Sequence, residues 1–290
     1  MISLIASDMD GTLLNEKMTV PPENVAAIKK AAQQGVKFIV ATGRSYGEAK
    51  PLIEQVGITA PIIAMNGAQV FDEQGQVIST VSINKNVVRK IFHLLKAKGL
   101  YFEVMTSLGT VSDSKMRRIQ NVAALLVDIQ TTDSFKIAVS LASARLELMN
   151  ITYVDSYEQL LTDPNVTILK VIAFSAAKQK ALQPVTAELN QLGNLAITSS
   201  SASNIEINHI NAQKGMALET YANSLNIQMS QVMAIGDNLN DASMLQVAQV
   251  SFAMGNATAE IKKIARYATD TNVNHGVGQA IERALKDKLA

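Results

Sequence analysis

The 290-residue chain has no cysteine, which excludes disulfide frameworks, thiol nucleophiles and cysteine-ligated zinc and fits a reducing compartment. Its three histidines, His93, His209 and His275, are too scattered for metal-ligand spacing and read as surface or packing residues. No charge of one sign predominates: 26 Lys and Arg face 25 Asp and Glu, a net charge of +1, which argues against a chain that works on nucleic acid or an anionic lipid surface. No window approaches the roughly 20 apolar residues of a membrane span. The opening run, Met1 to Ser7, is soon broken by Asp8 and Asp10, so neither a leader nor an anchor is expected and the chain reads as cytoplasmic. A Gly-x-x-x-x-Gly-Lys-Ser/Thr loop is absent, which disfavours a P-loop nucleotidase. Gly276-Val277-Gly278 imitates a dinucleotide fingerprint, but Ile281 stands at its third glycine position, and a helix N-terminus is the better reading.

Apolar residues make up 48% of the chain and charged residues 18%, enough of the first for a sizeable core. The first third alternates strand and helix signals. Ile2–Ser7, Val36–Ala41 and Pro61–Met65 read as strands, and Pro21–Gln34 and Ser45–Gln55 as helices, the first with an apolar stripe of Val25, Ile28, Ala31 and Ala32. Turn signals then leave Val70–Phe71 and Val77–Ile83 as hairpin arms. The middle differs: a helix at Val87–Lys98, a hairpin of Tyr101–Thr106 and Thr110–Asp113, an unassignable stretch at 115–148, then a strand (Ile168–Phe174), a helix (Lys178–Leu192) and two strands (Leu195–Ser199, Asn204–Asn208). After Lys214 strand–helix alternation resumes. The order predicts an α/β, Rossmann-like parallel-sheet core of residues 1–83 and 203–290, with an inserted α+β domain of residues 84–202.

Chemistry-bearing residues recur at the strand ends, where open α/β sheets bind ligands. Asp8-Met9-Asp10-Gly11-Thr12 follows the first strand, and two carboxylates two positions apart can converge on one cation, which would relieve their repulsion. Ala41-Thr42-Gly43-Arg44 follows the next strand and precedes a helix, offering a hydroxyl and an accessible amide to an anion, or simply a helix cap. Gly236-Asp237-Asn238-Leu239-Asn240-Asp241 again puts acids at a strand end. Asp237 and Asp241 share a face if the turn is helical, and Asp241 could equally be a plain N-cap. Lys214 precedes another helix. Acids, a hydroxyl, a lysine and an amide on one rim resemble a magnesium-dependent phosphoryl-transfer site.

In order and content these four segments resemble the motifs of the haloacid dehalogenase superfamily. Together with Met65-Asn66-Gly67-Ala68 and the large insert, they are similar to its Cof-like phosphatases with a type IIB cap. The resemblance implies that Asp8 is a nucleophile forming an aspartyl-phosphate and Asp10 the general acid and then base. It implies Mg2+ held by the Asp8 and Asp237 carboxylates and the Asp10 backbone carbonyl, with Asp241 in support. Thr42, the backbone N–H groups of Met9 and Gly43, Lys214 and Asn240 would hold the phosphoryl oxygens, and Arg44, Asn66 and His209 could reach substrate. The expected substrate is a small phosphomonoester, most often a sugar phosphate, with the cap closing over the site, and the expected assembly is a monomer or weak homodimer. A phosphomutase using the same intermediate is the main alternative, and a receiver-like module or a non-catalytic phosphometabolite sensor the others. Lys115, Arg117 and Arg118 in the insert read as a solvated helix face, the alternative being a cap residue that reaches an anionic substrate.

Overall fold

The computed structural model describes residues 1–128, 134–146 and 151–289, and divides into two compact units, Met1–Val81 with Asn211–Ala290, and Ser82–Ile210.

The first unit begins with β1 (Leu4–Asp8), α1 (Pro22–Gln33), β2 (Lys37–Ala41), α2 (Tyr46–Glu54), β3 (Ile62–Ala64), β4 (Gln69–Phe71) and β5 (Val77–Thr80). All five residues of β1 are buried, as a parallel strand covered on both faces requires. Pro22 opens α1, where its missing N–H costs nothing. Ser45 caps α2 in a reciprocal pair with Glu48.

The second unit comprises α3 (Lys85–Ala97), β6 (Tyr101–Thr106), β7 (Gly109–Ser112), α4 (Lys115–Asp128), α5 (Phe135–Leu146), β8 (Ile151–Tyr153), α6 (Glu158–Thr162), β9 (Ile168–Phe174), α7 (Gln179–Asn190), β10 (Leu195–Thr198) and β11 (Asn204–His209). Its sheet runs β10-β11-β9-β6-β7-β8, antiparallel except for the β7–β8 pair. Period-2 alternation sends Phe102, Val104, Val171, Ala173, Ile205 and Ile207 into one apolar cluster with α3 and α7. The intervening positions carry charge that is nonetheless buried: Lys170 meets Glu206 at 3.1 Å, and Glu103 is held by Arg118 and by the Tyr101 hydroxyl at 2.8 Å.

The chain returns to the first unit with α8 (Lys214–Ser224), β12 (Val232–Gly236), α9 (Ala242–Val247), β13 (Val250–Ala253), α10 (Ala259–Ile264), β14 (Tyr267–Ala268) and α11 (Gly276–Lys286), which starts at the glycine read as a helix N-terminus. The sheet order is β14-β13-β12-β1-β2-β3-β4-β5, parallel from β14 to β3 and antiparallel beyond. From the adjacent pair β1 and β12 the strands run outward in opposite directions, a topological switch point.

Several expectations need correction. Residues 204–209 were assigned to the core but form β11, bonded to β9 and β10 of the second unit, so the insert extends to Ile210. Arg118 is not solvated: it is buried against Glu103, while Arg117 donates to the Gly99 carbonyl at 2.7 Å. On α1, Ala32 is exposed, whereas the polar Asn24 is fully buried. The unassigned stretch forms α4 and α5, packed through Ala123, Leu126, Ala138 and Ala142; its residues 129–133 and 147–148 lie outside the described residues. No helix among the described residues is long and apolar enough to cross a membrane.

Candidate active site

β1 and β12 lie side by side in parallel, so Asp8 at the end of one and Asp237 just past the other leave the sheet at the same edge. Asp8 Oδ1 accepts from Lys214 Nζ at 2.6 Å, and the same ammonium donates to Asp241 Oδ1 at 2.6 Å. Asp241 Oδ2 accepts from the backbone N–H groups of Asp237 at 2.9 Å and Asn238 at 3.1 Å. Both oxygens of Asp241 are therefore committed, and it orders the loop as well as neutralising the lysine. Thr12 Oγ1 donates to Asp237 Oδ1 at 2.9 Å. Asp8 Oδ2, by contrast, is buried and meets no hydrogen-bond donor.

Carboxylate oxygens of Asp8, Asp237 and Asp241 lie within 4.8 Å of one another. Three carboxylates against one ammonium leave two negative charges uncompensated. Burial, and then Asp241, hold the Asp8 carboxyl well above the usual carboxylate range despite Lys214. Asp237 is pushed up to about 6, by burial and then by Asp241, against the opposing hydrogen bond from Thr12. Burial disfavours the Lys214 ammonium, but Asp241 and Asp8 outweigh it and raise its pKa. An oxygen-only donor set with an orphaned buried oxygen and two surplus charges fits a hard divalent cation such as Mg2+. Asp8 and Asp237 are the side chains with oxygen to spare.

Asp10 turns away from this cluster. Its carboxylate is held by Arg44, Nε to Oδ2 at 2.7 Å and Nη2 to Oδ1 at 2.6 Å, in a pair that is partly exposed on both sides. Gly11 makes the turn possible: its φ is +77°, and a Cβ there would stand 2.5 Å from Asp237 Oδ2. Thr42 is fully buried at the end of β2, its hydroxyl accepting from the Arg44 N–H at 3.1 Å. Met65 N–H donates to the Arg44 carbonyl at 2.8 Å and Asn66 N–H to the Thr42 carbonyl at 3.0 Å, tying the loop after β3 to that after β2. Asn240 Nδ2 donates to Asn66 Oδ1 at 3.3 Å.

Of the residues expected at the site in the first unit, Asp8, Lys214 and Asp241 form a buried centre with the half-buried Asp237 beside them. Asp10 and Arg44 form a pair beside it, and Asn66 and Asn240 meet. The Met9 side chain is buried in the core, which leaves only its backbone to serve the site. His209 ends β11 in the second unit. Sequence reading missed Thr12 as the partner of Asp237. It also missed Gly67, whose hypothetical Cβ would lie 2.5 Å from the Gln213 carbonyl, next to Lys214. Asn66-Gly67 was read as a turn and as part of a segment carrying the family resemblance, with Asn66 a possible substrate contact, but not for this close approach.

A family described as haloacid dehalogenase-like hydrolase matches residues 5–281. Among curated proteins, the phosphatase YwpJ of Bacillus subtilis (strain 168) is 32% identical, over 98% of this chain and all of its own length. The 5-amino-6-(5-phospho-D-ribitylamino)uracil phosphatase YwtE of the same organism is 31% identical over 99% of each chain. Among solved structures, a haloacid dehalogenase-like hydrolase from B. subtilis superposes with a TM-score of 0.86 at 30% identity, covering 97% of this chain and 99% of its own.

Proposed function

The chain belongs to the haloacid dehalogenase-like hydrolases and is a phosphoric monoester hydrolase, and we propose that it is a magnesium-dependent phosphatase of small phosphomonoesters, sugar phosphates or related metabolites, working through an aspartyl-phosphate on Asp8. The observation that carries this reading is the asymmetry of the Asp8 carboxylate. Oδ1 is anchored by Lys214, while Oδ2 is buried with no donor to satisfy it, which leaves this carboxylate unsaturated toward a cation and a phosphoryl group.

In the first step a bond forms between an Asp8 carboxylate oxygen and phosphorus as the bond from phosphorus to the ester oxygen breaks. Asp10 gives its proton to the departing alkoxide. In the second, water attacks phosphorus, its proton passes to Asp10, and the Asp8–phosphorus bond breaks to free inorganic phosphate. Arg44, which holds both oxygens of Asp10, has to release one for the first transfer and steadies the carboxylate needed for the second. Lys214, Thr42, Asn240 and the backbone N–H groups of Met9 and Gly43 hold the phosphoryl oxygens. Magnesium, bound by the Asp8 and Asp237 carboxylates and the Asp10 carbonyl, would offset the repulsion between carboxylate and phosphoryl oxygens.

Phosphate release from a panel of sugar, nucleotide, flavin and pyridoxal phosphates, with and without magnesium, tests the reading. The panel should include 5-amino-6-(5-phospho-D-ribitylamino)uracil, the compound for which YwtE is named. Metal-dependent release that Asp8→Asn abolishes is the expected result. Release that survives Asp8→Asn overturns the nucleophile, and equal release in EDTA overturns the metal.

A further inference from the structure

The turn from Met9 to Leu14 is irregular, with Asp10 extended and Gly11 at φ +77°, so its carbonyls cannot all be satisfied by a helix or sheet ladder and need donors from elsewhere. Three asparagine side chains from separate parts of the first unit supply them. Asn256 Nδ2 donates to the Gly11 carbonyl at 2.8 Å, Asn272 Nδ2 to the Leu14 carbonyl at 2.9 Å, and Asn24 Nδ2 to the Leu13 carbonyl at 3.4 Å. The first two are also joined to each other, since the Asn272 backbone N–H donates to Asn256 Oδ1 at 3.0 Å.

Asn256 stands where two parts of the site meet. It follows β13, in the loop whose Met254 N–H donates to the Gly236 carbonyl at 3.0 Å and whose Thr258 N–H donates to the Asp237 carbonyl at 3.1 Å. Its side chain therefore ties the loop that holds the backbone of Asp237 to the turn that carries Asp10, Gly11 and Thr12. That turn in turn presses on the Asp237 carboxylate: Gly11 packs so closely that a Cβ would come within 2.5 Å of Oδ2, and Thr12 donates to Oδ1. Any tilt of the Gly11 peptide moves both contacts. Asparagine suits the place because its amide donates and accepts at once without adding charge beside the acidic cluster. An aspartate there would turn an oxygen toward the Gly11 carbonyl instead of a donor.

We infer that Asn256 and Asn272 are positioning residues of this phosphatase: paired amides that fix the Gly11 and Leu14 carbonyls and so hold the Asp237 carboxylate, through Gly11 and Thr12, in the arrangement the divalent cation needs. The inference rests on the magnesium reading above. Neither side chain touches the reacting atoms.

Calorimetric titration of magnesium chloride alone into the full-length protein, at a temperature well below unfolding, tests it. Asn256→Ala and Asn272→Ala are each expected to weaken magnesium binding by about fivefold, roughly 1 kcal/mol at 1.4 kcal/mol per tenfold. Asn256→Asp, which keeps shape and the bond from Asn272 but loses the donor, is expected to weaken it further. With p-nitrophenyl phosphate at subsaturating magnesium, kcat falls while KM moves by less than about twofold, because substrate contacts are untouched. The double alanine variant loses less than the product of the two single effects, since the residues share a hydrogen bond. Asn274→Ala, which removes a bond to Asp270 in the same loop, binds magnesium as wild type does. Should one variant fail to fold, Asn256→Ser and Asn272→Ser stand in. Folded Asn256 and Asn272 variants with wild-type magnesium affinity overturn the inference and leave the magnesium reading intact. Absence of binding by wild type removes both.

Discussion

Asp237 illustrates how a single side chain trades stability for a site. Its folded pKa of about 6 lies above its ordinary value of 3.8, so between these values the folded protein holds a proton that the unfolded chain has lost. The sign follows: the unfolded state binds fewer protons, so this group's contribution to stability falls as pH rises from about 4 to about 6 and is level above. Asp237→Asn removes the charge and keeps an oxygen for the Thr12 hydroxyl. In EDTA at pH 7.5 it is expected to be more stable than wild type by up to about 3 kcal/mol, since each of the roughly two pKa units is worth about 1.4 kcal/mol, with the gap closing toward pH 4 and phosphatase activity lost. Urea unfolding of both proteins across that range checks this, and an asparagine variant less stable at pH 7.5 contradicts it. Lys214 lies on the other side of the same balance. It is fully buried between Asp8 and Asp241, so Lys214→Met strands two carboxylates and should cost about 3–5 kcal/mol, seen as a lower urea midpoint in EDTA. The acids were legible in the sequence because they follow strands among turn-forming neighbours, whereas Lys214, which opens α8, was legible only as one member of the joint motif set. Thr12 and Asn256 were not, because their partners lie 225 and 245 positions away and no local pattern encodes such a pairing.

Among the elements, those with a clear period or sharp punctuation were read closely, and those whose form depends on a distant partner were not. β1, β2 and β3 are apolar runs ended by turns, and α1 has proline at its start and Gly35 after its end. β14 has two residues and exists because it pairs with Phe252 and Ala253. α4 and α5 bury small alanines against each other while Phe135, Ile137 and Leu141 stay exposed, so apolar spacing along the chain does not trace a buried stripe. Asn24 escaped the reading of α1 for a similar reason: it is buried, accepting from the Gly278 N–H of α11 at 2.8 Å, and a polar residue in a core stripe is invisible to hydrophobic periodicity. How loops position helices can be tested at two glycines. Gly35 and Gly67 both have positive φ, but nothing lies within 4 Å of a Cβ at Gly35, whereas one at Gly67 would strike the Gln213 carbonyl that leads into α8 and Lys214. Gly35→Ala should cost about 1 kcal/mol and leave kcat unchanged. Gly67→Ala should cost more and lower kcat by displacing Lys214. Equal activity in the two variants would show that this close approach does not position the lysine.

At the scale of the whole molecule, the switch from strand–helix alternation to paired strands and back was enough to suggest an insertion, and the error lay in its second boundary. Asn204–His209 is apolar at alternate positions and stands just ahead of Lys214, so it reads equally well as a strand of either sheet. Only its pairing with β9 and β10 decides. The chain crosses between the units only at Val81–Ser82 and Ile210–Asn211. Within residues 82–210 an apolar cluster from α3, α6, α7 and alternate positions of β6, β9 and β11 forms a core of its own. About 130 residues with an independent core and a six-stranded sheet fall in the size range of domains that fold alone. A chain of residues 82–210 is therefore expected to unfold in urea as one cooperative transition, with coincident far-ultraviolet circular dichroism and tyrosine fluorescence. It should release no phosphate from any member of the substrate panel, because Asp8, Lys214 and Asp237 all lie outside it. A broad, probe-dependent transition would mean that its sheet needs the rest of the chain to stay ordered. A cooperative fragment that hydrolysed phosphomonoesters would move the chemistry away from the strand ends of the first unit.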